Sequence, residues 1–203
     1  VEEPPVFGYL EIDPAHPVNN EEIAELSRRN SALRFERTSQ GALLVSPTGS
    51  SSGLRSGELA RQLTAWNQQT KRGRFFDSST GFELPNSAIY APDGAWMAEE
   101  RWQTLTSEER EEFAPLCPDV VFEIRSKTDA LGKLLRKLHD YIDAGATLAV
   151  LLDPYKRTVA YIFAGEEPKT LADPATVSFI SASDVDPLPG FTLDFQAILQ
   201  SAE

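Results

Sequence analysis

Residues 117–129 read CPDVVFEIRSKTD. Val120, Val121, Phe122 and Ile124 form a β-branched and aromatic run, the composition of a buried strand. Yet Glu123 stands in its middle and Arg125 follows two positions on. Strand alternation puts Val121, Glu123 and Arg125 on one face and Val120, Phe122 and Ile124 on the other. A buried, unpartnered carboxylate is strongly unfavourable. This strand therefore calls for a counter-charge, a proton or a metal ion beside Glu123.

Downstream, residues 128–146 carry the apolar stripe Leu131, Leu134, Leu135, Leu138 and Ile142, spaced as one face of a helix. Thr128 or Asp129 is expected to cap that helix, and Gly145 to end it. From Glu123 to Ser126 is roughly 10 Å of strand. From Asp129 to Lys137 is roughly 12 Å of helix. A helix that runs back over its strand thus returns Lys137 to the level of Glu123, with Lys133 one turn nearer the strand end. The aliphatic stem of Lys137 can lie on the core while its ammonium reaches the carboxylate. The run TLAVLLDP (147–154) reads as a strand buried on both faces, and RTVAYIF (157–163) as its antiparallel neighbour. Asp153, at the end of the first of these, reads as a structural residue.

Upstream, NNEEIAELSRRN (19–30) has helix polarity, with acids in the first turn and basic residues in the last. LRFERT (33–38) and ALLVS (42–46) read as a hairpin through Ser39-Gln40-Gly41. SPTGSSSG (46–53) reads as a loop. The next segment, 54–73, reads as a long helix with Leu59, Leu63 and Trp66 on one face and Gly73 as its stop. Short strands follow in RFFDS, GFELP and AIYAPDGAWM, then a short acidic helix over 99–113. LPGFTLDFQAILQ ends in a strand and a helix. With no internal repeat and no linker, residues 1–203 read as one α/β domain with a mixed sheet, and residues 1–18 as a loosely attached arm.

Bulk composition narrows the function. The chain is 41% hydrophobic and 25% charged, with a formal net charge of −12. That total opposes nonspecific binding to a polyanion, because phosphate affinity comes from Lys and Arg. Basic residues nevertheless gather at 28–37, 71–74 and 125–137. No apolar run approaches the roughly 20 residues of a membrane helix, and the N-terminus lacks the pattern of a signal peptide. The single cysteine, Cys117, excludes an internal disulfide and fits a cytoplasmic protein. Two distant histidines disfavour a zinc site, so any metal is expected on carboxylates, as for Mg²⁺.

Three carboxylates stand in suitable settings. They are Glu123, Asp93 in YAPDGAW, and Glu58 beside the apolar stripe of the long helix. Carboxylates that hold a metal, with a lysine to stabilise the developing anion, are what phosphodiester hydrolysis needs. The structural alternatives are an ion pair of Glu123 with Arg125 or Lys137, a turn-forming Asp93, and a solvent-facing Glu58.

The order of a helix with Glu, then PD, then a strand with Glu followed by a helix resembles the PD-(D/E)XK nuclease superfamily. The longer series RFERTSQGALLVSPTG, STGFELPNSAIYAPDGAW, RW, CPDVVFEIRS, KLHDYIDAGA, LLDP and LPGF is similar to the Uma family of putative restriction endonucleases, over about residues 21–197. The resemblance implies a restriction-endonuclease-like core, with a central mixed sheet flanked by helices. It also implies a homodimer, a Mg²⁺ site that Mn²⁺ can also occupy, and DNA as substrate. Asp93 and Glu123 match the metal-binding acids, and Glu58 the helical acid. Arg125 stands where the superfamily places its lysine, and Lys137 is the matching lysine on the next helix. The catalytic set implied is Asp93, Glu123 and Lys137; the metal set is Asp93, Glu123 and Glu58. The competing readings are a catalytically silent module that binds nucleic acid or a protein, and a structural homo-oligomer.

Overall fold

Alternation and amphipathic periodicity build two layers of sheet crossed by helices. The computed structural model describes residues 10–47 and 49–203, so most of the expected arm (residues 1–9) and Thr48 lie outside the described residues. In chain order the strands are β1 (Leu10–Ile12), β2 (Leu33–Arg37), β3 (Leu43–Pro47), β4 (Gly73–Asp77), β5 (Phe82–Glu83), β6 (Ile89–Tyr90) and β7 (Gly94–Ala98). They continue with β8 (Val120–Ile124), β9 (Leu148–Asp153), β10 (Thr158–Phe163), β11 (Lys169–Ala172), β12 (Thr176–Val177) and β13 (Leu193–Asp194). The helices are α1 (Asn20–Arg29), α2 (Ser50–Thr70), α3 (Glu99–Trp102), α4 (Ser107–Glu111), α5 (Leu131–Asp143) and α6 (Phe195–Gln200).

The central sheet has the order β11-β10-β9-β8-β7-β4. Its pairings are antiparallel except β8–β9, which is parallel with Glu123 opposite Leu151. A parallel pair needs a crossover, and α5 supplies it. The expected mixed sheet flanked by helices is therefore what the chain forms. The two faces of β8 divide the core as alternation requires. Val120, Phe122 and Ile124 pack with α2 and α6 through Leu59, Leu63, Trp66 and Ile198. Val121 packs on the other face with Leu138 and Tyr141 of α5. A second sheet, β1-β3-β2-β6-β5, contains the expected 33–46 hairpin. α1 packs on it through Ile23, and β12 pairs with β13.

Several local expectations are revised. Helix α2 begins at Ser50, so Ser50, Ser51 and Ser52 are its first residues rather than loop. Its end is Lys71 in the left-handed region (φ 52), not Gly73. Gly73 serves a close approach instead: a Cβ there would lie 2.1 Å from the Met97 carbonyl oxygen. The acidic stretch makes two short helices, α3 and α4, where one was expected. Helix α5 starts after Ala130 without a side-chain cap, because the Asp129 carboxylate accepts the Ser126 N–H and holds the preceding turn. Gly145, at φ +105, does end it.

Candidate active site

The β8–β7 register brings the two strand-borne acids together. Gly94 is opposite Phe122, so Asp93 enters β7 beside Glu123. The Asp93 Oδ2 accepts the Ile124 N–H at 2.8 Å, which fixes that carboxylate against the strand that carries Glu123. Helix α5 returns over the same face. The Lys137 Nζ lies 2.8 Å from Glu123 Oε1 and 2.8 Å from Glu36 Oε1. Glu36 comes from β2 of the second sheet, and the same oxygen accepts the Ala91 N–H at 2.6 Å. Tyr141, one helical turn after Lys137, donates its hydroxyl to Glu123 Oε1 at 2.9 Å. Lys137 also lies over the rings of Tyr90 and Tyr141, with Nζ 4.9 and 5.8 Å from their centroids. That contact stabilises an ammonium stripped of water.

Burial sets the electrostatics. Desolvation, opposed by the Lys137 ammonium and aided by the charges of Asp93 and Glu36, pushes the Glu123 carboxyl up to about 7. Burial alone would lower Lys137, but the charges of Glu123 and Glu36 outweigh it and hold the ammonium protonated. Burial, then the neighbouring Glu123 charge, raises Tyr141 well above the ordinary phenol range, so its hydroxyl remains a donor. These groups open on a cleft of about 370 Å³. Arg34, Glu36, Asp93, Glu123, Lys133 and Lys137 line it, with Gly49 just before α2 and Ser52, Gly53 and Ser56 of its first turns.

Two sequence expectations have a different geometry. Glu58 does not line the cleft. Its carboxylate pairs with Arg61 at 2.7 Å and accepts Gln62 Nε2 at 2.9 Å. The reason is topological: at Glu58 α2 runs on the Val120–Phe122–Ile124 face of the sheet, and Glu123 points to the opposite face. The third acid that the fold brings to Glu123 is Glu36. Arg125 does not pair with Glu123 either. Its NH1 lies 2.9 Å from Asp153 Oδ2, on the adjacent strand β9. Asp153, only 1% exposed, also accepts the Tyr155 and Lys156 N–H groups, in keeping with its structural reading.

Neither Glu36 nor Arg34, nor the Tyr141 hydroxyl on Glu123, is among the site residues the sequence pointed to. The faint signal in LRFER is two opposite charges, Arg34 and Glu36, on one strand face opposite Phe35.

The donors suit a hard cation, because all are carboxylate oxygens. Among the described residues no group of three or more Asp, Glu, His or Cys side chains is gathered tightly enough to hold an ion alone. Mg²⁺ commonly takes one or two carboxylates and completes its shell with water and substrate oxygens. Asp93 and Glu123 meet that need. Among the described residues Glu123 Oε2 receives no hydrogen bond, since both contacts fall on Oε1. The residues present thus fit such an ion.

The α/β scaffold with acids at neighbouring strand positions and a helix-borne lysine is a nuclease-like fold. The crystal structure of a putative nuclease of DUF820 from Anabaena variabilis ATCC 29413 matches it with a TM-score of 0.67 at 16% identity. The match covers 84% of this chain and 92% of that one. The chain belongs to the Uma2 family, described as putative restriction endonuclease, which matches residues 20–196. The search of curated proteins finds no match. Among the described residues no helix is long and apolar enough to cross a membrane.

Proposed function

We propose that the chain is a Mg²⁺-dependent endonuclease that hydrolyses phosphodiester bonds in DNA. The observation that carries this reading is Lys137 Nζ, 2.8 Å from Glu123 Oε1, in a cleft that Asp93 also lines. Asp93 and Glu123 would hold the cation, and Mn²⁺ would use the same oxygens. The chemistry such an ion supplies is activation of water and neutralisation of phosphate charge. The chain's own residues do the rest. The Ile124 N–H orients Asp93, Tyr141 orients Glu123, and Glu36 tethers Lys137 so that its ammonium faces charge developing on phosphate oxygens. A homodimer in the cytoplasm belongs to the same proposal.

Supercoiled plasmid with Mg²⁺ or Mn²⁺ tests it. Wild type should nick or linearise the plasmid, while Glu123→Ala and Lys137→Ala should be inactive. Cleavage by Glu123→Ala at the wild-type rate would remove the proposal. A second reading has one specific support: Lys137 bridges Glu36 and Glu123, and the carboxylates form no three-ligand cage among the described residues. A silent module that binds nucleic acid or a protein would show no calorimetric Mn²⁺ binding but would retain its ligand.

A further inference from the structure

Arg34 is a cleft residue to which the chemistry above gives no task, although it pairs with the metal-facing acid Asp93. It lies on β2, lines the cleft, and 24% of its side chain is exposed. Its NH1 and NH2 both reach one oxygen, Asp93 Oδ1, at 3.3 and 3.2 Å, and NH1 also donates to the Ala91 carbonyl oxygen at 3.3 Å, so all three bonds are long. A guanidinium paired well with a carboxylate makes two parallel bonds of about 2.7–2.9 Å to two separate oxygens. Among the described residues the chain builds that geometry at two other arginines. Arg61 reaches Glu58 at 2.8 and 2.7 Å on separate oxygens. Arg74 reaches Glu99 at 2.8 and 2.9 Å, again on separate oxygens. The second Asp93 oxygen, Oδ2, is turned to the Ile124 N–H, and neither arm of the Arg34 fork reaches it. The Arg34 fork is therefore poorly matched to its present partner, while it faces a cleft that would admit a better one.

Charge leads to the same ligand class. The buried cluster contains three acids, Glu36, Asp93 and Glu123, and two cations, Arg34 and Lys137. A divalent cation would turn that formal balance from negative to positive, and a phosphodiester monoanion would then neutralise it. As Asp93 turned to the cation, Arg34 would lose its carboxylate partner and keep only the long Ala91 carbonyl contact, at the moment an anion with two free oxygens could replace that carboxylate.

We propose that Arg34 is the residue that grips the substrate phosphodiester and that, in the empty site, it is parked on the metal-holding Asp93. The proposal rests on the metal-dependent hydrolase reading above and deepens it. Arg34 occupies the acid until the cation arrives, then passes its fork to the two non-bridging oxygens of the phosphodiester. Metal and nucleic acid thereby bind with mutual reinforcement.

The test is Mn²⁺ calorimetry on the full chain, alongside anisotropy of a short fluorescein-labelled oligodeoxynucleotide in Ca²⁺. Thermal melting monitors the fold of each variant. Arg34→Gln should bind Mn²⁺ about fivefold more tightly, because a competing cation has left Asp93. The same variant should bind the oligonucleotide about tenfold more weakly. Arg34→Lys retains the charge but not the fork, so its Mn²⁺ affinity should stay near wild type while oligonucleotide affinity falls. Lys133→Ala, at another basic position in the cleft, should weaken the oligonucleotide without changing Mn²⁺ binding. If wild type binds Mn²⁺ and Arg34→Gln binds it no better, Arg34 merely braces Asp93; this inference fails and the hydrolase reading stands. If wild type and Glu123→Gln bind no Mn²⁺ alike, both fail. If Arg34→Gln does not fold, Arg34→Lys decides, and undiminished oligonucleotide affinity there overturns the proposal.

Discussion

Replacing Lys137 with Met probes the centre of the site without reference to activity. The ammonium is the shared counter-ion of Glu123 and Glu36, whose side chains are 4% and 6% exposed. Met keeps the stem volume and removes the charge. Two buried carboxylates then face each other with Asp93 close by, and breaking a buried pair from one side costs about 3–5 kcal/mol. For a chain of this size 1 kcal/mol moves Tm by about 2–4 °C, so Tm should fall by roughly 6–20 °C at pH 8. The loss must depend on pH. Without the ammonium, nothing offsets the burial that raises Glu123, so this carboxyl takes up a proton more readily in the folded than in the unfolded state. The penalty is therefore smallest below the unfolded carboxylate range and grows as pH rises through it. Urea unfolding followed by tryptophan fluorescence at pH 5 and pH 8 measures both values. Adding Glu123→Gln to Lys137→Met should recover more than about 1 kcal/mol, since the two residues are in contact. A Lys137→Met protein as stable as wild type at pH 8, or destabilised equally at both pH values, would refute the reasoning, because neither is possible if the ammonium neutralises two buried acids.

Glu123 itself makes wild-type stability depend on pH. Its folded pKa is raised to about 7, so the folded state holds the proton more tightly than the unfolded one. Its contribution is present below the unfolded carboxylate value and is lost as pH rises toward 7, by up to roughly 3 kcal/mol. Glu123→Gln should flatten that slope in urea titrations across pH 5–8. Arg125→Ala should cost about 1–3 kcal/mol, because Asp153 loses a buried charged partner but keeps two backbone donors, and calorimetry should show Mn²⁺ affinity unchanged. Glu58→Gln should leave Mn²⁺ affinity at the wild-type value, whereas Glu36→Gln, which frees Lys137 from one partner, should alter it. Gly73→Ala should lower Tm by the equivalent of about 1–3 kcal/mol, since its Cβ would meet the Met97 carbonyl oxygen, which belongs to backbone.

Period-two alternation and helical spacing are local properties, and they were readable. The division of Val120–Ile124 between two faces follows from the pleat. The return of Lys137 to Glu123 follows from the rise per residue of a strand and of a helix. The charges on LRFER were not readable as site residues, because a strand with one polar face ordinarily turns that face to water. Only the placement of β2 beside α5 buries Glu36 and aims Arg34 into the cleft. Glu58 shows the converse: helical periodicity tells which side of α2 is buried, but not which face of the sheet receives it.

By itself, then, the sequence determined the mixed α/β architecture, the acid at Glu123 and the lysine that could reach it, because each depends on the repeat of its own segment. Tertiary structure alone decided that Glu36 rather than Glu58 joins them, that Arg125 turns to Asp153, and that Arg34 rests on Asp93. Those outcomes depend on which segments meet across the fold, and no segment's own periodicity carries that information.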